Sequence, residues 1–297
     1  MQNNILLRTT FKDHLVLLNP LYRFYKNIWN PETFIFYIGY YKYNEQKIIR
    51  DINELLNIKI NYINDTETMH SYIKNSKIYK YNNLYFVLYE TIKDSEPGIW
   101  SNMRNFLYRI SNLPNIKNYK YYLNLDNDDF FYVKNVKQIL NNYKVLRTHA
   151  FEFISHNKFN LKHDFEFISN NYYFRLKGKN MELTPKNSHL WCRELYLTEP
   201  YRNETHVGKS ENCNSYDELT NIEFSELDNV CFSFGCLDLN YLLHMKYWLQ
   251  SVDSETTRGK YSHNTIIEHF NKYYTLTDIE RKNNIIVTCN ELKEYFR

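Results

Sequence analysis

The stretch Tyr121-Tyr122-Leu123-Asn124-Leu125-Asp126-Asn127-Asp128-Asp129-Phe130-Phe131 decides how the rest of the chain is read. Tyr121 to Leu125 has the length and the aromatic and aliphatic content of a buried strand. It runs straight into three carboxylates within four positions. Carboxylates crowded this closely repel one another, and each raises the pKa of its neighbours. A divalent cation removes that conflict. Mg²⁺ and Mn²⁺ prefer carboxylate oxygens and leave other positions to water and substrate phosphates. In open α/β sheets, ligands sit beyond the carboxyl ends of the strands, which is where this cluster falls. The plainer alternative is a solvated turn in which Asp129 caps a following helix.

Working outward, the first half alternates strand and helix signals. Ile5 to Leu7, Thr33 to Tyr40 and Leu84 to Tyr89 read as strands, with Tyr121 to Leu125 the fourth. His14 to Trp29 has helical spacing interrupted at Pro20, and Glu45 to Leu56 is an amphipathic helix. Gly98 to Ile110 places Trp100, Met103, Leu107 and Ile110 on one helical stripe. Strands separated by helices need crossover connections, so the expected fold is α/β, with a mostly parallel central sheet flanked by helices on both faces.

The second half differs. Val145 to His149, Phe151 to Ile154, Phe165 to Ile168, Tyr172 to Leu176 and His189 to Leu197 read as short strands, with Asn170-Asn171 as a hairpin turn. Thr198 to Ser225 is polar and reads as a long loop. Leu237 to Gln250, Asn264 to Tyr274 and Glu291 to Phe296 have helical spacing. No Pro/Gly/Ser linker divides the chain. The expectation is one domain: residues 1–140 form a nucleotide-binding half, 141–255 a mixed α+β acceptor half, and 256–297 a C-terminal helical segment.

Composition narrows the functional classes. The chain has 297 residues, 29 of them Tyr and 19 Phe, but six Gly, six Pro and one Ala, Ala150. This skew follows A/T-rich codons and fits the genome of a large DNA virus, a phage or a low-GC cell. Six glycines leave no room for a GxGxxG fingerprint together with a P-loop. No apolar run approaches the roughly 18 residues that span a bilayer. The start of the chain has no basic region before Ile5, so it reads as a strand and not as a signal peptide. Net charge is +3, too balanced to point to nucleic acid. Five cysteines, an odd number scattered over a long chain, favour reduced thiols. The expected compartment is cytoplasmic, host cytoplasm if the source is viral.

The order Gly98-Ile-Trp-Ser-Asn-Met-Arg104-Asn105, a helix, the strand ending at Leu125, then Asp126-Asn-Asp128-Asp129 resembles the family 2 glycosyltransferases of the GT-A fold. Ile5-Leu-Leu-Arg8-Thr9-Thr10 resembles that family's first strand. The likeness covers roughly the first 130 residues; beyond Phe131 it is one of layout only. The resemblance implies a Rossmann-like GT-A sheet and transfer of a sugar from a nucleotide-sugar, UDP-linked by preference, to a hydroxyl of a glycan or protein acceptor. It implies that Asp126 contacts the ribose, or the metal through water. Asp128 would bind Mn²⁺ or Mg²⁺ directly, Arg8 and Thr9 would line the nucleoside pocket, and Arg104 would hold the donor. Where the family places an acid after its second strand this chain has Gly39-Tyr40-Tyr41, so a tyrosine is the candidate to stack on the base. The catalytic base would fall among Glu211, Asp217 and Glu218, with Glu194 as an outsider, and the choice between an inverting and a retaining course stays open. His206, His244 or His263 would complete the metal shell.

Two other classes compete. A nucleotidyl- or phosphoryl-transfer enzyme would use the same carboxylates, but no Gly-Ser precedes Asp126 and no apolar-Thr pair follows Asp128. A non-catalytic carbohydrate-binding protein on the same scaffold would bind no nucleotide. Cys231 and Cys236 lack a second ligand pair at zinc spacing and read as structural thiols.

Overall fold

The computed structural model describes residues 4–12, 15, 17–40, 44–66, 73–91, 107–110, 112–155, 172–176, 192–201, 205–207, 229–233 and 286–288. At its centre is β1 (Ile5–Lys12). Ile5, Leu7 and Phe11 enter one apolar core and Leu6 enters another. A strand apolar on both faces belongs inside a sheet, because consecutive side chains point to opposite sides. Accordingly β1 has a parallel neighbour on each edge. Leu7 lies opposite Phe34 of β2 (Thr33–Tyr40) and opposite Leu123 of β6 (Tyr121–Asp126).

β2 pairs in parallel with β5 (Leu84–Thr91), and β5 carries an antiparallel edge made of β4 (Ile73–Tyr81) and β3 (Asn61–Asp65). The chain is thus α/β, and its six-stranded sheet, in the order β3-β4-β5-β2-β1-β6, is mixed. The expected parallel strands form its β5-β2-β1-β6 portion. Three of its five pairings are parallel, and the antiparallel β3-β4 edge is the part that the expected sheet did not include. β3 is exposed at four of its five positions and offers no apolar alternation to detect.

Two helices cover one face. α1 (Leu18–Ile28) buries Leu18, Leu21, Phe24 and Tyr25, and α2 (Glu45–Leu56) buries Ile48 and Ile52, all in the core that holds Leu7 and Phe36. Pro20 does not interrupt α1. It sits in the first turn, where its missing N–H has no helical partner to lose. α2 starts where the Asn44 side chain accepts from the Gln46 N–H at 2.8 Å and stops at Asn57, whose φ of 51° is left-handed. Among the described residues the opposite face is covered by the segment containing Leu107, Tyr108, Ile110, Leu113, Ile116 and Tyr119. Most of the helix expected over 98–110 lies outside the described residues.

β7 (Asp129–Val133) begins a second sheet, ordered β11-β10-β8-β12-β7. Its other members are β8 (Val145–Ser155), β10 (Cys192–Tyr196), β11 (Thr205–Val207) and β12 (Asn229–Ser233). β9 (Tyr172–Leu176) joins β8 to β13 (Ile286–Thr288), and α3 (Val136–Asn142) links β7 to β8. The two strands expected over 145–154 are one. The expected break at Ala150 marks a change of partner instead: Val145 to His149 pair with β10, and Phe151 to Ser155 with β9. Part of the expected 198–225 loop is β11. The strand at 165–168, the turn at 170–171 and the helices over 237–250, 264–274 and 291–296 lie outside the described residues. Among the described residues no helix is long and apolar enough to cross a membrane.

Candidate functional site

The acidic run is the place where the chain leaves one sheet for the other. β6 ends at Asp126, Asn127 and Asp128 turn, and β7 starts at Asp129. Asp126 lies opposite Thr10 at the carboxyl end of β1. One carboxylate oxygen from each of Asp126, Asp128 and Asp129 lies within 4.8 Å of the other two. The all-oxygen chemistry of this set fits a hard divalent cation, which a closer approach of the three carboxylates would hold. Asp126 and Asp128 are half-buried, so water and substrate oxygens have access, whereas Asp129 is buried.

The plainer alternative made Asp129 a helix cap. It opens a strand instead, because Phe130 and Phe131 are both fully buried and take opposite faces of β7. All three carboxylates of the run thus come together, Asp129 beside the two that the resemblance assigns to the metal site. The signal was present in the unbroken Asp128-Asp129 pair.

Helix α1 fixes the position of this strand. β7 is an edge strand whose sheet partner is β12, so its outward backbone groups need other partners. The Tyr25 hydroxyl donates to the Asp129 carbonyl and accepts from the Phe131 N–H, both at 2.9 Å. The Trp29 indole N–H donates to the Phe131 carbonyl at 2.6 Å. Two aromatic side chains thus do what a further strand would do, and they fix the backbone that carries Asp129.

Behind the cluster, Asn124 shares a sheet face with Asp126 and lies opposite Arg8. Arg8 is buried. Its Nε donates to Asn124 Oδ1 at 2.9 Å, its terminal nitrogens donate to the carbonyls of Tyr108 and Pro200, and its guanidinium lies 3.9 Å from the centre of the Tyr108 ring. Asn124 also donates to the carbonyls of Glu199 and Pro200, both at 3.3 Å. Arg8 and Asn124 together clamp the segment after β10 against the first sheet. Thr9, next along β1, faces the opposite side and is buried. Tyr40 packs in the core at the end of β2, so its ring is not presented for base stacking. Burial raises its phenol pKa well above the ordinary value, and Glu45 and Glu90 add to the shift.

Glu194 and His206 lie on the paired strands β10 and β11, where Glu194 stands opposite Thr205 and Arg193 opposite His206. Tyr41, Arg104, Glu211, Asp217, Glu218, His244 and His263 lie outside the described residues. Cys231, in β12, is a buried free thiol. Comparison with protein-family models, with curated proteins and with solved structures gives no match for this chain.

Proposed function

We propose that the chain is a metal-dependent glycosyltransferase of GT-A architecture that moves a sugar from a nucleoside-diphosphate sugar, UDP-linked by preference, to an acceptor hydroxyl. The carrying observation is the Asp126, Asp128 and Asp129 cluster, whose oxygens lie within 4.8 Å of one another at the carboxyl end of a parallel strand. Ligands of α/β sheets bind at such ends. The parallel β5-β2-β1-β6 order, with β1 beside the strand that carries the acids, supports the same reading.

The leaving group of this reaction is a nucleoside diphosphate, so negative charge develops on phosphate oxygens in the transition state. Bound Mn²⁺ or Mg²⁺ supplies Lewis-acid stabilisation of that charge. The protein's own part is to hold two half-buried carboxylates toward solvent and a third behind them, on backbone braced by Tyr25 and Trp29. Thr10, opposite Asp126 and buried at the end of β1, lies at the edge where the donor approaches. The acceptor would meet the second sheet, and its activating base is sought among Glu211, Asp217, Glu218 and Glu194.

The test is turnover of nucleotide-sugars with Mn²⁺ by the full chain, alongside hydrolysis of phosphate monoesters. Donor hydrolysis or transfer that disappears in Asp128→Ala, with the circular dichroism spectrum unchanged, is the expected result. Wild-type turnover by Asp128→Ala, or activity on phosphate monoesters alone, overturns the reading.

A further inference from the structure

On the face of the first sheet away from α1 and α2 there is a cavity of about 330 Å³. Its floor is formed by Leu6, Arg8, Ile35, Tyr37 and Tyr108, all buried. Arg109, Lys117 and Tyr201, all exposed, form its rim, with Arg109 lying 5.6 Å from the centre of the Tyr201 ring. The wall is fixed from behind, because the Tyr122 hydroxyl bonds the carbonyls of Ile116 and Tyr119 at 2.8 Å each.

Three features of this cavity point to one ligand chemistry. Its lining includes three cationic side chains, Arg8, Arg109 and Lys117, and no carboxylate among the described residues. Arg8 is 1% exposed, and its partners among the described residues are an amide oxygen, two backbone carbonyls and a ring. A guanidinium buried among neutral partners leaves a positive charge for a ligand to balance. Lastly, the Tyr37 hydroxyl is fully buried beside the Arg8 guanidinium, and its proton finds no acceptor among the described residues. A buried donor without an acceptor is costly, and a bound acceptor removes the cost. The rings of Tyr37 and Tyr108, with centres 5.4 Å apart and planes tilted by 48°, give the floor two aromatic faces against which a ring can pack.

We infer that this cavity is a second binding site, for a small organic anion with a planar ring, whose phosphate or carboxylate group accepts from Tyr37 and is balanced by Arg8, Arg109 and Lys117. The volume is at the small end of ligand pockets and suits one ring with its anionic group. The rim of the cavity lies at the other end of β6 from the carboxylate cluster: Lys117 precedes the strand, which spans about 17 Å, and Asp126 ends it, while Arg8 on the floor stands opposite Asn124, between the two ends. The inference goes beyond the proposed glycosyl transfer and does not depend on it.

The experiment is isothermal titration of the full chain, in EDTA, with phenyl phosphate, benzoate and the neutral benzyl alcohol. At least one anion is expected to bind ten times or more tightly than benzyl alcohol. The tighter of the two identifies the group as phosphate or carboxylate. Tyr37→Phe removes one hydroxyl whose proton has no acceptor among the described residues and leaves the ring in place, so the fold is retained, and anion affinity should fall roughly tenfold. Arg109→Gln, at the exposed rim, should weaken it several-fold, and Asp128→Ala should leave it unchanged. Anions no tighter than benzyl alcohol, wild-type affinity in both Tyr37→Phe and Arg109→Gln, or loss of binding in Asp128→Ala would each overturn the inference. Loss of anion binding alongside intact Mn²⁺-dependent turnover removes this site alone, and the reverse result removes the proposed function alone.

Discussion

Tyr25→Phe is the substitution that tests how the acidic run is held in place. It deletes one oxygen and leaves the ring in the core, where Tyr25 is 0% exposed. That oxygen makes two bonds of 2.9 Å, to the Asp129 carbonyl and the Phe131 N–H, and both residues are fully buried. Water does not reach either group without opening the edge of β7. Leaving a buried backbone group unsatisfied costs about 1–3 kcal/mol, so the pair sets a loss of roughly 2–6 kcal/mol. That corresponds to a rise of about 30- to 30,000-fold in the unfolding equilibrium constant. Equilibrium urea unfolding is the assay, with the denaturant slope checked for constancy so that the midpoint reports stability. Tyr22→Phe is the control, because Tyr22 lies on the same helix, is half-buried and packs edge-on against Phe34. It should stay within about 0.5 kcal/mol of wild type. The bracing account is refuted if Tyr25→Phe unfolds within 0.5 kcal/mol of wild type, or if the Tyr22 control loses as much.

Two more predictions concern the core. A Cβ on Gly39 would fall 2.6 Å from Cζ and 2.7 Å from the hydroxyl oxygen of the buried Tyr89 ring. Gly39→Ala should therefore cost about 1–3 kcal/mol by overpacking, less a backbone gain of about 0.5–1 kcal/mol. Adding Tyr89→Leu should relieve part of that cost in a double-mutant cycle, and strict additivity would contradict the contact. Burial raises the phenol pKa values of Tyr37, Tyr40, Tyr79, Tyr119 and Tyr122 above their ordinary value. The unfolded chain then gives up these protons first, so stability holds in full below about pH 10 and falls as pH rises past it, with Tyr37 alone contributing up to about 1.4 kcal/mol per pH unit. Tyrosinate absorbance during alkaline titration should rise in step with loss of the folded circular dichroism signal. Full ionisation of the tyrosines before unfolding would contradict the burial.

What the sequence revealed depended on how completely a segment is buried. β2, buried at all eight positions, and α2, with a clear apolar stripe and an Asn cap, were legible to their end residues. β3 was not, because an exposed edge strand has no reason to alternate, and β4 hides its buried Ile73, Ser76 and Ile78 among lysines and asparagines. At the site, Asp126 and Asp128 were legible from local crowding alone. Whether Asp129 caps a helix or opens a strand stayed open, because that choice rests on long-range partners, Tyr25 and Trp29 about a hundred residues earlier. The clamp of Arg8 and Asn124 on Pro200 was equally hidden, since it joins positions 192 residues apart. Sequence spacing reports neighbours along a strand or helix, and these contacts are made between layers. The same limit hid the bonds that Arg8 makes to protein on the face opposite Thr9.

The claim at the centre of this account is that Asp126, Asp128 and Asp129 hold a divalent cation that in turn holds a nucleoside diphosphate. Thermal unfolding of the full chain with UDP, with and without Mn²⁺, tests it most directly, because binding to the folded state alone raises the midpoint by mass action. The account predicts an upward shift that needs UDP and Mn²⁺ together in the wild type and is absent in Asp128→Asn. An equal shift without Mn²⁺, an equal shift in Asp128→Asn, or no shift with UDP, GDP, CDP or dTDP would contradict it.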